Sequence, residues 1–579
     1  MRTVFLQGLT LIINLLLAGG VARAQGFLHA DGERIADGTG KPVLLRGMGL
    51  GGWMLQEPYM LGLSGVAVNE QEIRGRISGV VGAKRTADFY SAWLEHFITK
   101  ADIDSMAAWG FNSVRLPMHY ALYTLPVEQE PVAGKNTWLP AGFRLTDSLL
   151  RWCAANRMYL ILDLHAAPGG QGNDLPIADR DSTKPSLWQS AAAQDKTVSL
   201  WKELARRYAR EPWIGGYDLL NETNWNFTDP SDKHGCNDSL NVPMRVLYER
   251  ITAAIRSVDR DHLLIIEGNC WGNNYRNVLP PWDKNMALSF HRYWNENSEA
   301  SLGSILALRR QYRMPVWMGE SGENSNAWFR DAVRLLEGQD IGWAWWPLKK
   351  MGMNNPLEIP ANANYTRLQA YWKGTAPKPH PDSAFAGLMQ LARDSRTDRA
   401  RYHPDVVDAL FRQVRDEAAK PYRHYRIGKD TVLPAVHFDM GPIGSAYQSN
   451  TPGNYWVSTG KRTDWNRGWT YRNDAIDILA MPSGYEVELE AGEWVQYTFS
   501  ADAAAARLVL TGKAGTGAKP LLWLNGKALT PDAGIDSWTM QEVPLQPGTN
   551  RLRLGAGGGT LRFSTIRLVP ARTAAQSKH

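Results

Sequence analysis

Between Lys41 and Lys349 short apolar runs rich in β-formers recur along the chain. They are Val43–Gly51, Ser113–His119, Tyr159–Ala166, Ile214–Glu222, Leu263–Gly268, Met286–Trp294, Pro315–Glu320 and Gly342–Leu348. Near-continuous apolarity suits strands buried on both faces of a parallel sheet. Helical patterns separate them, among them Asp102–Trp109, Thr146–Asn156, Thr197–Ala209 and Met244–Val258. This alternation predicts an α/β fold, a (β/α)8 barrel rather than an open sheet. The stretch Gly26–Gly40 has hairpin character and is expected to cap the barrel bottom. A helical pattern from Pro381 to Arg423 is expected to pack on the barrel.

Around Tyr425–Pro434 the texture changes. Short alternating runs follow, such as Tyr485–Leu489, Trp494–Phe499, Arg507–Thr511, Leu521–Leu524, Asn550–Leu554 and Leu561–Leu568, with Gly-rich turns between them. Such spacing predicts an all-β sandwich, jelly-roll-like. The expected organisation is a leader over 1–24, a barrel domain over 25–425 and a sandwich over 432–572.

The leader has Arg2 before an apolar stretch and a small-x-small site at Ala22-Arg23-Ala24, which reads as a secretory signal peptide cleaved after Ala24. The expected location is secreted or periplasmic, with no membrane span. Export permits disulfides. Cys153 lies in a helical pattern and is expected in the core. Cys236 and Cys270 fall in loops, and the sequence leaves their pairing open. With 44% hydrophobic and 21% charged residues over 579, the chain is globular, and a net charge of +6 without a basic run argues against nucleic acid as a partner. The unusual count is tryptophan, 24 against 14 phenylalanines. An indole offers a flat apolar face and one N–H donor, complementary to a sugar ring.

In such a barrel, polar residues at the C-terminal ends of strands point into the active site. That filter selects Glu57, Arg115, Asp163, His165, Asn221, Glu222, His291, Tyr293, Glu320, Trp345 and Trp346. Asp163 shares a face with His165 and reads as an interior hydrogen-bonding residue. Trp345 points opposite to Trp346 and reads as packing, while His119 and Tyr120 stay open. Glu222 and Glu320 end the fourth and seventh runs, and only the fold can pair them. Glycoside hydrolysis needs two carboxyl groups flanking the bond, one protonated and one ionised. Arg115 would keep Glu320 ionised if it reaches it. No convincing metal-ligand spacing, phosphate loop or nucleophile elbow is present, so neither metal nor cofactor is expected.

The motifs over roughly residues 40–350 resemble glycoside hydrolase family 5, the cellulase-like retaining glycosidases. The resemblance implies Glu222, in Asn221-Glu222, as acid/base and Glu320 as nucleophile. It also implies Arg115, His165, His291, Tyr293 and Trp346 as site residues. RGMGLGGWMLQEPYM and LHAAPGGQ look like the exo-β-1,3-glucanase branch, in which the residue matching Glu57 holds the terminal glucose. The family's usual Asn-Glu-Pro is Asn-Glu-Thr here. The last domain resembles a family 6 carbohydrate-binding module through HFDMGPIGSAY, TYRNDAIDI and GYEVELEAGEWVQYTF. That implies Tyr471 and Trp538 as ring-stacking residues. Val436 stands where the module's calcium Glu is expected, and Arg562 where its sugar-binding Asn is.

The expectation is a monomeric, exported retaining hydrolase of a β-glucan polysaccharide or oligosaccharide, β-1,3 favoured. Its alternatives are an endo-β-1,4-glucanase on the same scaffold and a non-catalytic carbohydrate-binding protein. A β-glucosylceramide hydrolase is a further option, for which no apolar lid segment argues.

Overall fold

The computed structural model describes residues 26–570 apart from 452, 454, 457–460, 463–465 and 535; the leader over 1–24 lies outside the described residues. Eight strands form a closed barrel: β1 Arg46–Gly49, β2 Ser113–His119, β3 Tyr159–Ala166, β4 Ile214–Asp218, β5 Leu264–Glu267, β6 Met286–His291, β7 Val316–Gly322 and β8 Gly342–Trp346. Seven lie within one of the eight apolar runs, and β7 extends two residues past its run, to Gly322. Their order round the barrel is their order in the chain, with β8 next to β1. Every residue of β2 through β8 is buried, as expected of strands covered on both faces.

By its contacts the chain falls into two compact units. The first holds the described residues up to Gly47, then 100–290 and 305–317. In it β2 through β6 pair in parallel, with Arg115 opposite Ile161 and Asp163 opposite Asp218. Helices Lys100–Trp109, Pro140–Ala155, Ala191–Tyr208 and Val242–Arg256 follow the predicted patterns. Two of them open with Pro in the first turn, where a missing N–H costs nothing. Ser190 caps Ala191–Tyr208 by accepting from the Ala193 amide. His29–Asp31 and Arg34–Ala36 form the hairpin expected near the start. Cys153 is buried and free, and Cys236 pairs with Cys270 in a disulfide.

The second unit holds residues 48–99, 291–304 and 318 onward. It contains helices Glu70–Val81 and Ala83–His96, which the sequence reading did not single out; Gly75, Gly79 and Gly82 weaken the helical signal there. Pro381–Asp394 and Pro404–Phe411 account for the later helical pattern. From residue 426 the described residues form strands and loops, with one 3-10 turn at Ala435–His437. One sheet has the order Arg426–Ile427, β9 Trp494–Ala501, β11 Gly548–Gly557, β10 Lys519–Leu524 and Lys527–Leu529. The other includes Gly484–Leu489, Leu561–Pro570, Ala505–Ala514 and Ser537–Pro544. Alternation builds one core from both sheets: Val495, Leu522, Leu552 and Leu554 from the first meet Val487, Leu508, Leu510 and Phe563 from the second. Among the described residues no helix is long and apolar enough to cross a membrane.

Candidate active site

In the first unit the strand ends build a cluster around Arg115. Its side chain is fully buried, and its guanidinium is shared by three carboxylates from three strands. Nε donates to Asp218 Oδ2 at 2.9 Å, Nη2 donates to Glu267 Oε1 at 3.0 Å, and Nη1 lies 3.3 Å from Asp163 Oδ2. Nη2 also donates to Asn221 Oδ1 at 2.8 Å. Asp163 holds His165 Nδ1 at 2.7 Å, and His165 Nε2 lies 3.3 Å from Asn221 Nδ2. One arginine thus neutralises part of a charge set that alone would be prohibitively costly to bury.

Glu222 stands beside this cluster, four residues after β4. Its backbone is in the left-handed region, φ 39°, which costs a non-glycine residue about 1–3 kcal/mol. Two bonds hold it there: its N–H donates to Glu267 Oε2 at 2.7 Å, and Asn224 Nδ2 donates to its carbonyl at 2.9 Å. Gln171 Nε2 bridges the carbonyls of His165 and Asn221. The loops after β4 and β5 are tied together next to it. Trp271 N–H donates to Thr223 O at 3.1 Å, the Cys236–Cys270 bridge joins the two loops, and Trp271 Nε1 donates to Asp174 Oδ2 at 3.2 Å.

Asp218 and Glu267, partners of Arg115, and Glu267 also of the Glu222 amide, are residues that the sequence filter passed over. Glu267 ends a strand, as the selected acids do, and that was the available signal. Asp163, read as an interior residue, is the shared anchor of His165 and Arg115.

In the second unit Glu320, on β7, is buried and accepts from the Tyr293 hydroxyl at Oε2, 2.7 Å. His291 Nδ1 lies 3.7 Å from the same oxygen. The Arg292 amide donates to the Glu320 carbonyl, so the segment carrying His291 and Tyr293 is pinned to the end of β7. Trp346 closes β8. Its Nε1 donates to the Tyr59 hydroxyl oxygen at 3.0 Å. Burial, then the charges of Glu323 and Glu57, push the Tyr59 phenol well above its usual 10, so it stays protonated and bonds Glu323. Lys350 Nζ holds Glu323 at 3.2 Å. The indole lies flat on Gly49 and Gly51: a Cβ at either would stand 2.5 Å from a ring carbon of Trp346. Glu57 is buried at the start of the turn Pro58–Leu61. Trp345 packs among Trp328, Phe329 and Trp343, as its opposite direction requires.

Tyr471 and Trp538 are in the sandwich. Tyr471 is partly buried among Tyr422, His437 and Tyr485, its hydroxyl bonds His437 Nε2, and the Arg401 guanidinium lies 5.6 Å from its ring. The following residues are a joint: Asn326 N–H donates to Asn473 O, Asn326 Nδ2 donates to Asp474 Oδ1, and Asn473 N–H donates to Asp405. Trp538 pairs with Leu510 across the second sheet and packs, partly buried, against the sandwich core.

Residues 69–352 match the cellulase model of glycosyl hydrolase family 5. A β-xylosidase of Phanerodontia chrysosporium is 29% identical over 433 residues, 68% of this chain and 84% of that protein. A probable glucan 1,3-beta-glucosidase A of Aspergillus niger is 30% identical over 190 residues, 32% of this chain and 42% of its own length. Endoglucanase C of Acetivibrio thermocellus is 24% identical over 331 residues, 45% of this chain and 87% of that protein. Taken with the closed parallel barrel, the match over residues 69–352 makes this part of the chain a catalytic domain of glycoside hydrolase family 5, and the protein a glycosidase acting on β-glycosides.

Proposed function

We propose that the protein is an exported, retaining hydrolase of β-glucosidic bonds in a β-glucan, with β-1,3 linkages favoured. The observation that carries this is the Tyr293–Glu320 bond at the end of β7. It is matched by a second glutamate, Glu222, held by its backbone just after β4 of the same parallel barrel. In this reading the Glu320 carboxylate attacks the anomeric carbon as Glu222 protonates the departing oxygen. Water, deprotonated by Glu222, then cleaves the resulting glycosyl ester and returns Glu320 as carboxylate. Arg115, Asn221 and His165 orient the acid/base strand end, and Trp346 gives a sugar ring an apolar face. The 1,3-glucosidase relative supports the linkage, and the Cys236–Cys270 bridge supports export.

A β-xyloside is the second substrate to test, because the β-xylosidase relative matches over the longer stretch. The decisive experiment is a product profile on laminarin, carboxymethylcellulose and xylan, with the anomer of the first product read by NMR. Single β-glucose units from laminarin are expected. An α product at the first turnover overturns retention, and xylose release alone overturns the glucan assignment. Glu222→Ala should slow substrates with poor leaving groups far more than activated aryl glycosides, because only the former need its proton. Glu320→Ala should lose both, and equal losses in the two variants would sink the division of roles.

A further inference from the structure

The outer face of the first sandwich sheet carries a groove of about 920 Å³ lined by two tryptophans and two arginines. Its floor is set by register. Gln496 of β9, Arg553 of β11 and Trp523 of β10 form one row across three paired strands, and Trp494, Gly555 and Leu521 form the next. Alternation turns Leu552 and Leu554 into the core and Arg551, Arg553 and Gly555 outward. The two indoles close over the glycine from opposite sides. A Cβ on Gly555 would stand 3.2 Å from Trp494 Cβ and 3.5 Å from Trp523 Cζ3. Both tryptophans are partly exposed.

The charge of the groove is one-sided: Arg551 and Arg553 line it, and no carboxylate does. Five other arginines of the domain meet acids. Arg426 meets Asp502, Arg467 meets Asp477, Arg472 meets Asp474, Arg562 meets Glu488 and Arg567 meets Asp430. Among the described residues neither Arg551 nor Arg553 has a carboxylate within ion-pair distance. Arg553 instead lies over the Trp494 ring, 3.7 Å from its centroid, and partial burial lowers its pKa. A partly buried guanidinium therefore lies against an aromatic platform with no carboxylate of the described residues at ion-pair distance.

We propose that this groove binds an acidic polysaccharide: Trp494 and Trp523 stack on sugar rings to either side of Gly555, and Arg551 and Arg553 take the carboxylates of uronate units. Stacking alone would serve any glycan, and the unmatched pair of guanidinium groups selects the acidic one. The site is separate from the catalytic residues, and its failure would leave the catalytic reading untouched.

The test is affinity electrophoresis of the full chain, run cold, in gels containing laminarin or laminarin oxidised at C6 to glucuronate. The two polymers share a backbone and differ in charge. Stronger retardation by the oxidised polymer is expected. Trp523→Ala should weaken it about tenfold, and Arg551→Gln with Arg553→Gln should remove the preference, since each charge-assisted bond accounts for about that factor. Trp523→Phe should keep part of the retardation, which separates stacking from misfolding. Hydrolysis of a small aryl glycoside should be unchanged in all three. Equal retardation by both polymers, or retardation unaffected by the variants, overturns the proposal.

Discussion

The Tyr293 hydroxyl donates to Glu320 Oε2 at 2.7 Å, from a segment whose backbone is itself bonded to the Glu320 carbonyl. A side chain thus holds the Glu320 carboxylate and a main chain its backbone. Tyr293→Phe removes only the first. A hydrogen bond to a charged group contributes about 1.5–3 kcal/mol, so kcat on aryl β-glycosides should fall roughly ten- to a hundredfold. The unfolding midpoint should stay in place. An unchanged kcat would show that the hydroxyl does not position the Glu320 carboxylate for the reaction.

The Arg115 guanidinium is shared by three buried carboxylates, Asp163, Asp218 and Glu267. Arg115→Met would strand them, and breaking a buried pair by removing one partner costs about 3–5 kcal/mol. Chemical denaturation should register a loss of that order. Arg115→Lys keeps the charge but not the fork, and should fall between the two. A methionine variant as stable as the parent would mean that the three acids are already neutral.

Cys236 and Cys270 close a loop with a sequence separation of 34. Chain-entropy reasoning for a loop of that length gives about 3–4 kcal/mol of stabilisation. Cys236→Ser with Cys270→Ser should lower the unfolding midpoint accordingly. Activity should fall too, because the bridged loops lie next to Glu222. Reductant should affect the parent protein and not the double variant.

His437 supplies a pH dependence. Burial, with the positive charges of Arg423 and Arg472, lowers its pKa from 6.5 to about 4. Between those values the unfolded chain binds a proton that the folded one refuses, so stability falls as pH drops from about 6.5 to about 4 and levels off below. Unfolding midpoints measured across that window should show the slope, and His437→Asn should flatten it. Equal slopes would assign the acid sensitivity to other groups.

The barrel was legible because every strand buried on two faces writes its burial into consecutive residues, as Ser113–His119 and Tyr159–Ala166 do. The strand-end filter found Arg115, His165 and Asn221, which the structure joins in one network. It passed over Glu267, whose importance lies in what it touches: Arg115 on one oxygen and the Glu222 amide on the other. Neither contact leaves a local pattern. The stretch around Tyr471 carried aromatic and polar residues suited to sugar. In the structure Arg472 and Asp474 pair in full burial and Asn473 docks on Asn326, and the seam between a helix start and a sandwich draws on the same residue types.

The indole of Trp346 rests on two positions that tolerate no side-chain carbon, Gly49 and Gly51, and its nitrogen is claimed by Tyr59. These four residues behave as a single unit of variation. An alanine at either glycine evicts the ring, and a smaller residue at 346 leaves two bare stretches of backbone and removes the N–H that the Tyr59 oxygen accepts. A mutant library meant to reshape this wall must therefore change the four together, because single replacements sample only broken intermediates.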